Sequence, residues 1–135
     1  MRIRISLPQQ TLELHDAQGG LLSRYSISTA DKGAGEEFGS FKTPRGSHII
    51  RAKIGAGAKP NTVFVRRRAT GEIWTPELAQ DVPTRDWILT RILWLSGNEV
   101  GRNRLGSVDT MRRYIYLHGS PDTVAMGRPG SIGCV

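Results

Sequence analysis

The chain has a single cysteine, Cys134, so no disulfide forms within it and cysteine usage leaves the redox compartment open. Its three histidines, His15, His48 and His118, are scattered and offer no close ligand pair; neither a metal nor any other cofactor is expected. No apolar run reaches the length of a membrane-crossing helix. The opening Met1-Arg2-Ile3-Arg4-Ile5-Ser6 alternates charge with apolar residues, unlike the apolar stretch of a secretory leader. A G-x-S-x-G elbow is missing, which disfavours a Ser-His-Asp hydrolase, and Gly33 and Gly35 lack the third glycine of a dinucleotide fingerprint. There is no internal repeat, low-complexity tract or interdomain linker.

What is present describes one domain. At 135 residues, with 38% hydrophobic and 23% charged residues, the chain has an ordinary globular composition and enough length to bury a core. The net charge of +7 favours acidic partners. Arg66, Arg67 and Arg68 read as part of a strand and alternate faces without interleaved aromatics, so a nucleic-acid reader is not expected. Oligomeric state is not encoded in any pattern of this kind.

Period-two alternation dominates. Ile3, Ile5 and Leu7 share one face of an opening strand, Leu12 and Leu14 repeat the alternation, and Leu21 to Thr29 supply a third strand after the Asp16–Gly20 turn. Residues 30–46 are glycine-rich and polar, a surface loop closed by Thr43-Pro44. Further strands are expected at His48–Ile54, from Val63 through the arginines to a turn at Thr70-Gly71, and at Ile73-Trp74. Thr75-Pro76-Glu77 has the order of a helix cap and first turn, Trp87–Leu95 reads as a strand buried on both faces, and 96–113 as a polar loop. The fold class is therefore mainly β with little helix: a single-domain mixed β-sandwich or partly closed barrel.

Tyr114-Ile115-Tyr116-Leu117 reads as a strand that delivers His118 where Gly119 ends it. Ser120-Pro121 then looks like a cap, with a short helical turn over 121–126 stopped by Gly127 in the left-handed region. The chain can double back, and Ser131-Ile132-Gly133-Cys134 leaves the backbone beside the sulfur bare enough for a ligand to approach. A thiol with an ordinary pKa of about 8.5 needs a base or a positive environment to act as a nucleophile near neutrality. His118 is the candidate base, and backbone N–H groups around Gly133 and Cys134 are candidate oxyanion donors. The alternative is an inert buried cysteine beside a structural histidine.

His-Gly, a glycine-containing spacer and S-x-G-C resemble the signature of the YkuD family of L,D-transpeptidases, and Thr43-Pro44-Arg45-Gly46 is similar to the T-P-x-G turn of that family. The resemblance extends over essentially the whole chain, 1–135, as one catalytic domain. It implies Cys134 as nucleophile, His118 as base, the Gly119 carbonyl as the group orienting the imidazole, and Gly133 with Ser131 and Ile132 in the oxyanion and substrate wall. Arg112 is a candidate for the carboxylate of a stem peptide, as Arg102 and Arg104 are by position and charge. The implied partners are peptidoglycan stem peptides, with penem-type β-lactams as acylating inhibitors, and the implied location is the periplasm or cell envelope, whereas the opening residues, read alone, point to the cytoplasm. The implied reaction is acyl transfer to form 3-3 cross-links; an L,D-carboxypeptidase and a catalytically silent wall-binding domain are the alternatives. Two features depart from the family. Ile132 stands where most members carry a second histidine, and the sequence ends at Val135 where they continue, so a domain lacking its C-terminal segment is expected.

Overall fold

The computed structural model describes residues 1–135. Strands β1 (Arg2–Ser6), β2 (Thr11–His15) and β3 (Leu21–Ser26) form one sheet. Strands β4 (His48–Ile54), β5 (Thr62–Val65), β6 (Arg68–Ile73), β7 (Ile88–Gly97) and β8 (Tyr116–Gly119) form the other, and α1 (Pro76–Asp81) lies between β6 and β7. Every strand pair in both sheets is antiparallel. The mainly β expectation holds, but the sheets are not mixed and do not close into a barrel, because β1–β2–β3 shares no ladder with the second sheet.

Apolar alternation explains how the sheets meet. The β1–β2 register sets Ile3 opposite Leu14 and Ile5 opposite Leu12. Ile3, Ile5 and Leu12 pack against the buried cluster of Leu95, Ile115 and Leu117. Within the second sheet β7 is the hub: β4 pairs with it through Ile92–Gly97, β5 through Ile88 and Leu89, and β8 through Leu89 to Trp94. Because the β8 register overlaps both of the others, β8 must lie along the opposite edge of β7. Leu89 and Ile92 are completely buried, each at about 1.5–3 kcal/mol of favourable transfer, so the strand that bears His118 is backed by the driest part of the core.

Local differences from the sequence reading have local causes. The helix begins as expected, with Thr75 Oγ1 accepting from Leu78 N–H at 3.1 Å and Pro76 in the first turn. Residues 121–126 form no helix; a turn closed by Val124 N–H to Pro121 O at 3.0 Å takes its place, and Gly127 does adopt positive φ. The strand expected from Tyr114 starts only at Tyr116, since Tyr114 has φ 57° and cannot continue a pleat. Strand β3 stops at Ser26, which frees the following residues to bond the C-terminal loop. Arg66 and Arg67, expected on a strand, are instead the two-residue turn between β5 and β6: Val65 pairs with Arg68, and the arginines have φ 50° and 65°. Such a turn needs positive φ at both central residues and normally takes Asn-Gly. Each arginine there costs about 1–2 kcal/mol in backbone strain.

Candidate active site

His118 is placed by sheet register. Between β7 and β8 the register shifts between Leu89 and Ile92, and Thr90, within the irregularity, has φ 73°, a bulge of the kind that re-aims side chains. Gly119 sits opposite Leu89, where a Cβ would come within 2.8 Å of the Leu89 carbonyl; only glycine lets the strand end this close. The Gly119 carbonyl oxygen is 2.6 Å from His118 Nδ1. A carbonyl can only accept, so Nδ1 carries the hydrogen and Nε2 keeps its lone pair. Burial depresses the imidazole pKa, opposed by the Gly119 carbonyl and the Asp86 charge. The ring is thus neutral at pH 7.

Cys134 is placed by hydrogen bonds from a loop. Gly127 N–H donates to Ile27 O, Gly130 and Ser131 N–H both donate to Thr29 O, and Asp31 N–H donates to Ser131 O at 2.9 Å. Thr29 is itself clamped by Gln10, which accepts from its N–H at 2.9 Å and donates Nε2–H to its hydroxyl at 2.7 Å. Thr43 Oγ1 accepts from Ala30 N–H and donates to Gly133 O, both at 2.9 Å. Ser131 Oγ donates to Cys134 O at 2.7 Å and accepts from Gly133 N–H at 3.1 Å.

The two halves meet at the last residue. Val135 N–H donates to Tyr116 O at 2.9 Å, and His118 N–H donates to Val135 O at 3.1 Å. This lays Val135 along β8 and brings Cys134 Sγ to 3.3 Å from the Tyr116 N–H, which donates to it. The thiol in turn donates to Tyr114 O at 3.4 Å. It packs against the cluster of Phe64, Ile92 and Tyr116, and burial pushes its pKa up to about 12, with the Tyr116 N–H and the Arg113 charge opposing and Asp86 adding to the rise. Sγ and His118 are not hydrogen-bonded to each other, yet both line one cleft of about 770 Å³, with Trp87, Asp86, Ser131 and Ile132 among its walls. The arrangement is a protonated thiol and a neutral base facing one cavity.

The profile of the L,D-transpeptidase catalytic domain, YkuD, matches residues 1–135, the whole chain. The chain belongs to the YkuD family. Searches of curated proteins and of solved structures return no match.

Against this YkuD background the remaining residues sort by position. Gly133 has φ 137° and its Cβ would come to 3.2 Å from Ile115 Cδ1, so this position too favours glycine. Its N–H is engaged by Ser131 Oγ, whereas the Cys134 N–H donates to no group of the chain. Ile132 is 59% exposed and presents an apolar surface at the cleft. Arg112 does not line this cleft but a second one, of about 660 Å³, that Cys134 also lines. Arg102 is paired with Glu99 at 3.2 Å, and neither it nor Arg104 lines either cleft.

Of the other residues, His48 is held by Gly46 O at 3.0 Å and Thr110 Oγ1 at 2.9 Å, and burial lowers its pKa. Trp94 lies beside Tyr114 and Tyr116, with its ring 5.2 Å from the Arg67 guanidinium. Sequence reasoning missed Gln10, Thr29, Asp86 and Arg113. Arg113 donates to the carbonyls of Gly35, Glu36 and Lys42 and to Ser40 Oγ, pinning the 35–42 loop beside the sulfur. Thr43 did carry a signal, the T-P-R-G turn.

Proposed function

We propose that this YkuD domain is a cysteine-dependent L,D-transpeptidase acting on peptidoglycan stem peptides in the cell envelope, with Cys134 as nucleophile and His118 as base. The observation that carries the reading is the shared cleft: a thiol whose backbone is fixed by Val135 to the strand of His118 lines the same cavity as a neutral imidazole with a free Nε2. Substrate entering the cleft displaces water and brings sulfur and imidazole into register, as resting sites often tighten only when occupied.

Sγ attacks the carbonyl between the third-position diamino acid and the terminal D-alanine, and the thiol proton passes to His118 Nε2. The Cys134 N–H, free of other partners, donates to the developing oxyanion. As the tetrahedral adduct collapses, the C–N bond breaks and His118 returns the proton to the departing amine, leaving a thioester. The side-chain amine of a second stem then attacks the thioester, His118 takes its proton, and the thiol is regenerated with a 3-3 cross-link formed. Water in place of that amine gives the L,D-carboxypeptidase outcome. The high thiol pKa favours one other reading, a silent wall-binding domain.

Incubation with a synthetic tetrapeptide stem, followed by intact-mass spectrometry and D-alanine assay, separates these. Acyl-enzyme at Cys134 with release of D-alanine, abolished by Cys134→Ala, is the expected result. Binding of the peptide without any adduct or release would leave the silent domain as the correct reading.

A further inference from the structure

The second cleft stands out by its charge. Arg66, Arg67, Arg112 and Arg113 all line it together with Cys134, and Asp86 is its acidic lining residue. None of the four arginines is in a salt bridge. Arg113 is occupied by backbone carbonyls, but the other three are not neutralised.

Arg67 is held rigid: its guanidinium lies 4.4 Å from the Tyr114 ring centroid and 5.2 Å from that of Trp94, and it donates to Tyr116 Oη at 3.2 Å. One of its five N–H donors is used there, so most of the fork is available. Arg66 and Arg112 make no side-chain hydrogen bond, and both are exposed. The turn itself runs against local preference, with arginine at two consecutive positive-φ positions where Asn-Gly would relieve the strain. The turn imposed by the pairing of Val65 with Arg68 thus sets both arginines in the wall of the cleft that Cys134 also lines.

We infer that the Arg66–Arg67 turn, together with Arg112, forms a carboxylate-binding subsite beside Cys134 that anchors a free carboxylate of the peptide substrate. The inference rests on the acyl-transfer reading for the identity of the peptide. Guanidinium forks match the planar geometry of a carboxylate, and partial enclosure between aromatic rings strengthens the pairing. Two carboxylates of a stem peptide qualify, that of the terminal residue and a side-chain carboxylate of the third residue.

A test that needs no turnover compares alkylation of Cys134 by anionic iodoacetate and neutral iodoacetamide at one pH, so that the thiolate fraction cancels in the ratio. The double variant Arg66→Asn with Arg112→Gln leaves the stacked Arg67 in place, and asparagine suits the left-handed turn, so the fold is retained and its melting temperature does not fall. The iodoacetate-to-iodoacetamide ratio is expected to drop at least threefold in this variant, and in the wild type to drop with added salt. An unchanged ratio in both comparisons would overturn the subsite.

With tetrapeptides, the variant is expected to lose about tenfold in kcat/KM on the free acid. If the loss vanishes on the C-terminal amide, the terminal carboxylate is the one held; if it vanishes when lysine replaces a third-position diaminodicarboxylic acid, the side-chain carboxylate is. Equal losses on all peptides would count against the proposal. If the wild type turns over none of them, the acyl-transfer reading falls, while the alkylation ratio still decides the subsite.

Discussion

His118 and Cys134, the proposed base and nucleophile, are held by opposite means. His118 stands on β8, whose neighbour β7 contributes Leu89 and Ile92, both fully buried, to the core; its position follows from sheet register and apolar packing. Cys134 stands on a loop without a strand of its own, tied through hydrogen bonds to Ile27, Thr29, Asp31 and Thr43. Each half is therefore vulnerable to a different loss. Loss of packing loosens β8 and everything joined to it, whereas loss of one loop bond displaces the sulfur and leaves the sheet intact.

The largest effect is expected where the two halves share support. Ile92 packs with Phe64 and Tyr116, the cluster against which Cys134 also lies, so Ile92→Ala should lower stability by about 2–5 kcal/mol. Urea unfolding checks this, and loss of penem acylation should accompany it. A change under about 1 kcal/mol would mean that the core does not hold this strand.

Thr43→Val separates the halves. It deprives the Ala30 N–H and the Gly133 carbonyl of their common partner, costing about 1–3 kcal/mol. Acylation of Cys134 should fall about tenfold while the His118 imidazole resonances in an NMR spectrum stay in place. Equal disturbance of both would show that loop and sheet are not independent.

The fold was legible in the sequence because period-two alternation and the Thr75-Pro76 cap are local signals, and local signals decide strands and helix starts. Arg66-Arg67 was misread for the same reason. Nothing local says that arginine will occupy a turn normally built from Asn-Gly; the pairing of Val65 with Arg68 imposes it. His118 and Cys134 stood out by residue type and by the His-Gly and S-x-G-C motifs. Gln10 and Thr29 did not, since their value lies in a mutual clamp between residues 19 apart in the chain. The elevated thiol pKa was likewise hidden, because it arises from packing against Phe64 and Ile92, which meet the sulfur only after folding.

A smaller effect concerns acid. Because the folded pKa of His118 is depressed, the unfolded chain binds the proton more readily, and stability present above about pH 6.5 is lost as pH falls through the folded value. His48 contributes with the same sign. The melting temperature should therefore decline from pH 7 to pH 5, and less steeply in His118→Gln than in the wild type. Parallel curves would assign the decline to His48 and the carboxylates.

The central claim, a resting thiol that only an occupied cleft and His118 convert into a nucleophile, is tested most directly by two pH profiles of Cys134, one with iodoacetamide and one with a penem, in the wild type and in His118→Ala. Iodoacetamide alkylation is expected to rise only well above pH 8.5, since burial pushes the thiol up to about 12. Penem acylation is expected to proceed at pH 7 and to drop at least about 100-fold without His118. Alkylation half-complete near pH 8.5, as for a free thiol, with penem acylation indifferent to His118→Ala, would contradict it.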